Sequence, residues 1–88
     1  MKTLFDPSFS RNLRKIKDEA LRERVMAVIA EIDAAKTLGD ISNMEKLKGH
    51  SHAYRIRVGD YRIACYCKAD QIELIHFLHR KDIYKKFP

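Results

Sequence analysis

The stretch Tyr54-Arg55-Ile56-Arg57-Val58-Gly59-Asp60-Tyr61-Arg62-Ile63 decides how the rest of the chain is read. Apolar and basic residues alternate on both sides of Gly59-Asp60. That is the period-two pattern of strands joined by a two-residue turn. With only Gly59 and Asp60 in the loop, Val58 faces Tyr61, Arg57 faces Arg62 and Ile56 faces Ile63. Strand periodicity then puts Tyr54, Ile56, Val58, Tyr61, Ile63 and Cys65 on a core face and gathers Arg55, Arg57 and Arg62 on the opposite one. Like charges directly opposite each other destabilise a sheet, so three guanidinium groups on one face suggest a site for an anion. The plain alternative is a solvated face on which arginine keeps the sheet soluble. Arginine's planar fork, which matches phosphate, favours the site.

Downstream, the hairpin continues to Cys67, a turn falls at Lys68 to Asp70, and Ile72 to Leu78 is apolar on both faces, as in a central strand. Unbroken pairing through that turn puts His76 on the core face as a structural residue; a one-residue bulge would exchange it with Phe77. Lys81 to Phe87 reads as a last helical turn or an irregular tail. Upstream, Lys2 to Phe5 reads as a short strand, and Asp6-Pro7 supplies a helix cap followed by proline at the first helical position. Phe9, Leu13 and Ile16 form one apolar stripe. Asp18-Glu19 begins a second helix whose stripe is Leu21, Val25, Val28, Ile29 and Ile32, with its end expected near Leu38-Gly39. Asp40 to Asn43 reads as a turn. The expectation is one α+β domain over residues 1–88, an N-terminal strand and helical hairpin packed on an antiparallel meander, with the other sheet face free.

The chain has 88 residues, 18 Lys+Arg against 12 Asp+Glu, and a net charge of +6. Residues 1–44 carry net +1 and residues 45–88 net +5, so the basic surplus lies with the hairpin. A basic domain of this size points to nucleic acid before other partners. No apolar run is long enough to span a bilayer and no signal peptide is readable, so the expected location is cytoplasmic, with no membrane partner. Cys65 and Cys67, one residue apart, suit neither a disulfide nor a C-x-x-C half-site and read as core residues. No metal-ligand spacing is present, and no cofactor is expected.

Several polar residues flank the basic face. His79 and Arg80 end the last strand and Tyr84 follows, a set expected to border the arginines, with His79 as a proton donor. Read alone, His79 is an ordinary strand-end residue and Tyr84 a packing aromatic. His50 and His52 bracket Ser51 in the loop before the hairpin and are candidates for proton transfer, against the alternative of a polar loop. Lys46 and Lys48 are candidates for phosphate contacts. Such residues suit RNA cleavage, in which the ribose 2′-OH attacks the adjacent phosphorus and the protein aligns the nucleotide and stabilises charge.

Leu47-Lys48-Gly49, the hairpin from Tyr54 to Ile63, and His79-Arg80-Lys81-Asp82-Ile83-Tyr84 together resemble the RelE/ParE superfamily of toxins from type II toxin-antitoxin modules. The resemblance covers essentially the whole chain. It implies the fold order β-α-α-β-β-β and, in the RelE branch, metal-independent cleavage of mRNA in the ribosomal A site, leaving a 2′,3′-cyclic phosphate. It implies Arg55 and Arg57 for the substrate phosphate and 2′-OH, Arg62 and Arg80 for transition-state charge, and Tyr84 for orienting the nucleotide. It also implies an acidic, partly disordered antitoxin. The founding type of that branch has lysines at the positions of Arg55 and Arg57, and arginine, always protonated, is a poor base. The ParE branch, which inhibits DNA gyrase, is the alternative, as is a catalytically inactive member that binds RNA or antitoxin.

Overall fold

The computed structural model describes residues 1–88. The elements in chain order are β1 (Lys2–Phe5), α1 (Pro7–Arg14), α2 (Glu19–Ala34), β2 (Met44–Lys46), β3 (Ala53–Val58), β4 (Tyr61–Lys68), β5 (Gln71–His79) and α3 (Arg80–Lys86), with a short 3-10 turn at Leu38–Asp40. They build an α+β fold. The sheet order is β1-β5-β4-β3-β2; β1 runs parallel to β5 and every other pair is antiparallel.

Both helix starts form as the residues dictate. Asp6 accepts a hydrogen bond from Ser8 N at 2.9 Å ahead of Pro7, and Asp18 accepts one from Leu21 N at 3.2 Å. These caps satisfy backbone donors that the first turn leaves unpaired. α2 stops at Ala34, short of the expected Leu38-Gly39. Ala35 turns extended and is buried, and Asp40 accepts from Lys36 N and Thr37 N. Those two donors, Lys36 first, hold the Asp40 carboxyl below the usual range.

The hairpin register is the expected one, with Val58 opposite Tyr61, Arg57 opposite Arg62 and Ile56 opposite Ile63. α1 and α2 cover the core face, burying Phe9, Val25 and Ile32 against Ile56, Val58, Ile63, Cys65, Ile72, Leu74 and Phe77. Cys65 and Cys67 are free and buried. The hydrogen bond that the Cys65 thiol donates to Cys67, together with burial, pushes that thiol well up, which suits an inert core residue.

Further features depart from the sequence reading. Met44–Lys46 is a fifth strand on the sheet edge, in a segment for which no strand was expected; three residues are too few to show a period. Between β4 and β5 the pairing shifts from Ala64 with His76 to Cys65 with Leu74, a bulge that leaves Ile75 extra. Phe77 therefore enters the core, and His76, expected there, lies on the opposite face. Burying a phenylalanine in its place is worth about 1.5–3 kcal/mol and spares an imidazole full desolvation. His76 is half-buried, and that burial is the largest influence lowering its pKa from 6.5.

The face away from α1 and α2 is also not wholly free. α3 lies on part of it, and Ile83 and Phe87 close a second apolar cluster with Leu47, Ala53 and Ala64. Ala53 and Ala64 are small outward-facing residues that let the helix sit close to the strands.

Candidate functional site

Arg55, Arg57 and Arg62 share the part of that face that α3 leaves open. With Asn43, Met44 and Glu45 they line a shallow cavity of ≈ 260 Å³. Each guanidinium is held differently. Arg57 donates to Asn43 Oδ1 at 3.1 Å. Arg62, directly opposite, donates to the carbonyls of Gly59 and Tyr61, both at 2.9 Å. Arg55 lies 3.8 Å from Glu45 Oε1, the side chains being 18% and 73% exposed. On its other side the Arg55 guanidinium carbon sits 4.9 Å from the centre of the Tyr84 ring. Three cations thus face one carboxylate, and the two arginines nearest the turn rest on neutral oxygens only. Such a pocket attracts an anion.

Tyr84 reaches this site because α3 is pinned at both ends. Arg80 N donates to Asp60 O at 2.8 Å, tying the start of α3 to the hairpin turn. Ile83 and Phe87, four residues apart, fall on the buried side of the helix. Tyr84 is thereby turned outward, 62% exposed, leaving ring surface free to stack. Arg80, the first residue of α3, is exposed; its backbone is fixed at the turn and its side chain does not line the arginine cavity.

His79 is not on this face. Its register partner is Tyr61, a core-face residue, and the two rings meet edge to face at 5.4 Å between centroids. His79 Nδ1 accepts from Lys81 N at 3.2 Å, making His79 the cap of α3. Strand alternation accounts for the correction: Arg62 pairs with Leu78, so the next residue must face the other way.

The remaining candidates stand apart from the arginines. Lys46 pairs with Tyr54 and so projects to the core side at the sheet edge, whereas its neighbour Glu45 pairs with Arg55. Lys46, Lys48 and His50 line a separate loop cavity of ≈ 490 Å³. His52 borders another, with Leu4, Tyr66 and Lys68, beyond the end of β3 remote from the turn. Neither loop histidine lines the arginine cavity. Glu45 and Asn43, by contrast, were not singled out in the sequence. The available signal was weak: an asparagine suited to left-handed backbone and a glutamate one residue later on an unrecognised strand.

No three His, Cys, Asp or Glu side chains converge as metal ligands would, and no helix is long and apolar enough to cross a membrane.

Comparison with known proteins follows the same lines. The family described as the ParE toxin of type II toxin-antitoxin system, parDE, matches residues 4–84. Toxin RelE3 of Methanocaldococcus jannaschii is 38% identical over 89 residues, covering the whole of both chains. The toxin fold in the RelB-RelE antitoxin-toxin complex from Methanococcus jannaschii matches with a TM-score of 0.81 at 35% identity, over 97% of this chain and 99% of that one. A chain of the Escherichia coli RelBE toxin-antitoxin complex shares the fold, with a TM-score of 0.68 at 20% identity, over 89% and 94%. With a hairpin register, an arginine face and matches that span its length, the chain belongs to the RelE/ParE superfamily of type II toxin-antitoxin toxins.

Proposed function

We propose that this toxin is a ribosome-dependent mRNA endonuclease that inhibits translation. The observation that supports this reading best is the cavity of Arg55, Arg57, Arg62 and Glu45 beside the exposed ring of Tyr84. The ribose 2′ oxygen attacks phosphorus, the 5′ oxygen leaves, and the product is a 2′,3′-cyclic phosphate. Arg57 and Arg62 neutralise charge that grows on the phosphoryl oxygens, and the open ring of Tyr84 stacks on a base. Glu45, the one carboxylate lining the cavity, takes the 2′-OH proton. It fills a role that arginine cannot, and that the placement of His50, His52 and His79 keeps from the histidines. The leaving 5′ oxygen takes a proton from solvent, to which the shallow site is open. Arg80 adds positive charge near the hairpin turn. The ribosome supplies the extended message and its alignment.

The same reading includes a cognate antitoxin, an acidic chain that is partly disordered when free and covers the basic face on binding. RelE is in complex with RelB in the Methanococcus jannaschii structure, which supports such a partner.

The test is cleavage of a defined message by purified protein, with and without programmed ribosomes, beside an Arg62→Ala/Tyr84→Ala variant. Cuts that need ribosomes, end in a cyclic phosphate and vanish in the variant are expected. The description of the matching family as ParE favours a second reading, inhibition of DNA gyrase. Intact message together with blocked supercoiling would establish that one instead.

A further inference from the structure

We propose that Asn43 is a positioning residue that holds the Arg57 guanidinium in the cavity beside Arg62, set to receive a phosphate; that the phosphate belongs to RNA rests on the nuclease reading above. Arg57 and Arg62 are register partners, so their charges repel across the hairpin. Unrestrained, two such long side chains would swing apart into solvent. Asn43 prevents this for Arg57 with two bonds: its carbonyl accepts from Arg57 N at 3.0 Å and its Oδ1 accepts from Arg57 Nη2 at 3.1 Å. Arg62 is restrained in parallel by the carbonyls of Gly59 and Tyr61.

Every one of these acceptors is neutral. A carboxylate at position 43 would hold Arg57 equally well but would cancel part of the charge that the pocket offers an anion. An amide oxygen orients the cation and leaves its charge unspent. The backbone at Asn43 is left-handed, φ 59°, a conformation that asparagine adopts more readily than most side chains. Next to it, Ser42 N donates to the Glu31 carboxylate on α2, which anchors the segment to the helical layer. One residue thus joins the backbone bend before the edge strand to the aim of a guanidinium in the cavity.

Asn43→Gly separates the two roles, because glycine keeps the left-handed backbone and removes only the amide. On programmed ribosomes it should lower kcat/KM about tenfold, as expected when a hydrogen bond to a charged group is lost. In an Arg57→Ala background the same change should cost nothing, since the amide then has no guanidinium to place. Asn43→Asp should keep Arg57 ordered while weakening phosphate binding. Two readouts need no cleavage: the Arg57 side-chain nitrogen resonances by NMR, and the titration of those resonances and of Arg62 with inorganic phosphate. In wild type the Arg57 signals should be ordered and should shift with phosphate; in Asn43→Gly they should broaden and the shift should weaken. Equal losses with and without Arg57, or an ordered Arg57 that binds phosphate unchanged in Asn43→Gly, would overturn the proposal. If wild type leaves message intact, the nuclease reading fails on its own, and the phosphate titration still decides the role of Asn43.

Discussion

Replacing Ile83 by alanine should detach α3 and disassemble the site without unfolding the protein. α3 has seven residues, too few to hold a helix in water unaided, so its order depends on docking. Ile83 is fully buried in the smaller apolar cluster, separate from the thirteen-residue main core. The change removes three carbons, a transfer loss of about 2.4 kcal/mol, and the hole left behind raises it to about 3 kcal/mol. Native-state hydrogen exchange reads this directly. The α3 amides should exchange through a local opening, at a lower free energy than those of β5, and Ile83→Ala should speed them about 100-fold. The circular dichroism of the sheet should stay native-like. Tyr84 would leave Arg55, so RNA cleavage should collapse while binding through the arginines persists. The reasoning is refuted if wild-type α3 and β5 amides exchange at one common free energy, or if Ile83→Ala leaves the α3 amides as protected as before.

On the nuclease reading, Glu45→Gln should cut single-turnover RNA cleavage by about 10²-fold or more while RNA affinity, measured by fluorescence anisotropy, holds or rises, because the proposed base is lost and a negative charge with it. Unchanged cleavage would remove Glu45 from the chemistry. Gly59→Ala should destabilise by at least about 1 kcal/mol in a urea titration, since Gly59 has φ +61°. A new Cβ there would also lie 2.9 Å from Arg24 Nη1, a flexible chain end that can yield, so adding Arg24→Ala should recover little. Stability should also fall with pH in the histidine range. Because burial lowers the folded pKa of His76 from 6.5, the unfolded chain takes up a proton while the folded imidazole is still neutral, and stability declines as pH drops below about 6.5. His76→Gln should flatten that part of the profile; an unaltered slope would assign it elsewhere.

The hairpin was legible in the sequence because Gly59-Asp60 allows one turn and alternation does the rest. The register followed, and with it the placing of Arg55, Arg57 and Arg62 on one face. The caps at Asp6 and Asp18 were equally plain. What escaped was whatever depends on single-residue offsets or on partners distant in sequence. Ile75 adds one residue to β5, and every position beyond it changes face relative to unbroken pairing, so His76 and Phe77 exchange sides. Lys46 was read as a phosphate contact, whereas it is the last residue of a strand three residues long whose partner is Tyr54 and so projects to the core side. The docking of α3 depends on Ala53 and Ala64 being small, which no periodicity expresses. Glu45 could enter the site only once β2 was known to exist.

The parallel pairing of β1 with β5 also orders assembly in time. Thr3 is registered with Ile72, so the first strand of the chain has no partner until the last strand has been made. A chain growing from its N-terminus can form α1 and α2 early, but their apolar faces wait for a sheet that closes only once β5 has been made. Tyr84 comes later still, and it is held over Arg55 only when α3 rests on the finished β3 and β4. The cationic cavity is therefore joined by its aromatic neighbour only after the strands that carry the arginines have been made. A chain made only as far as β4 carries the three arginines without the ring of Tyr84 beside them, and the two stand together only once α3 has been made and docked.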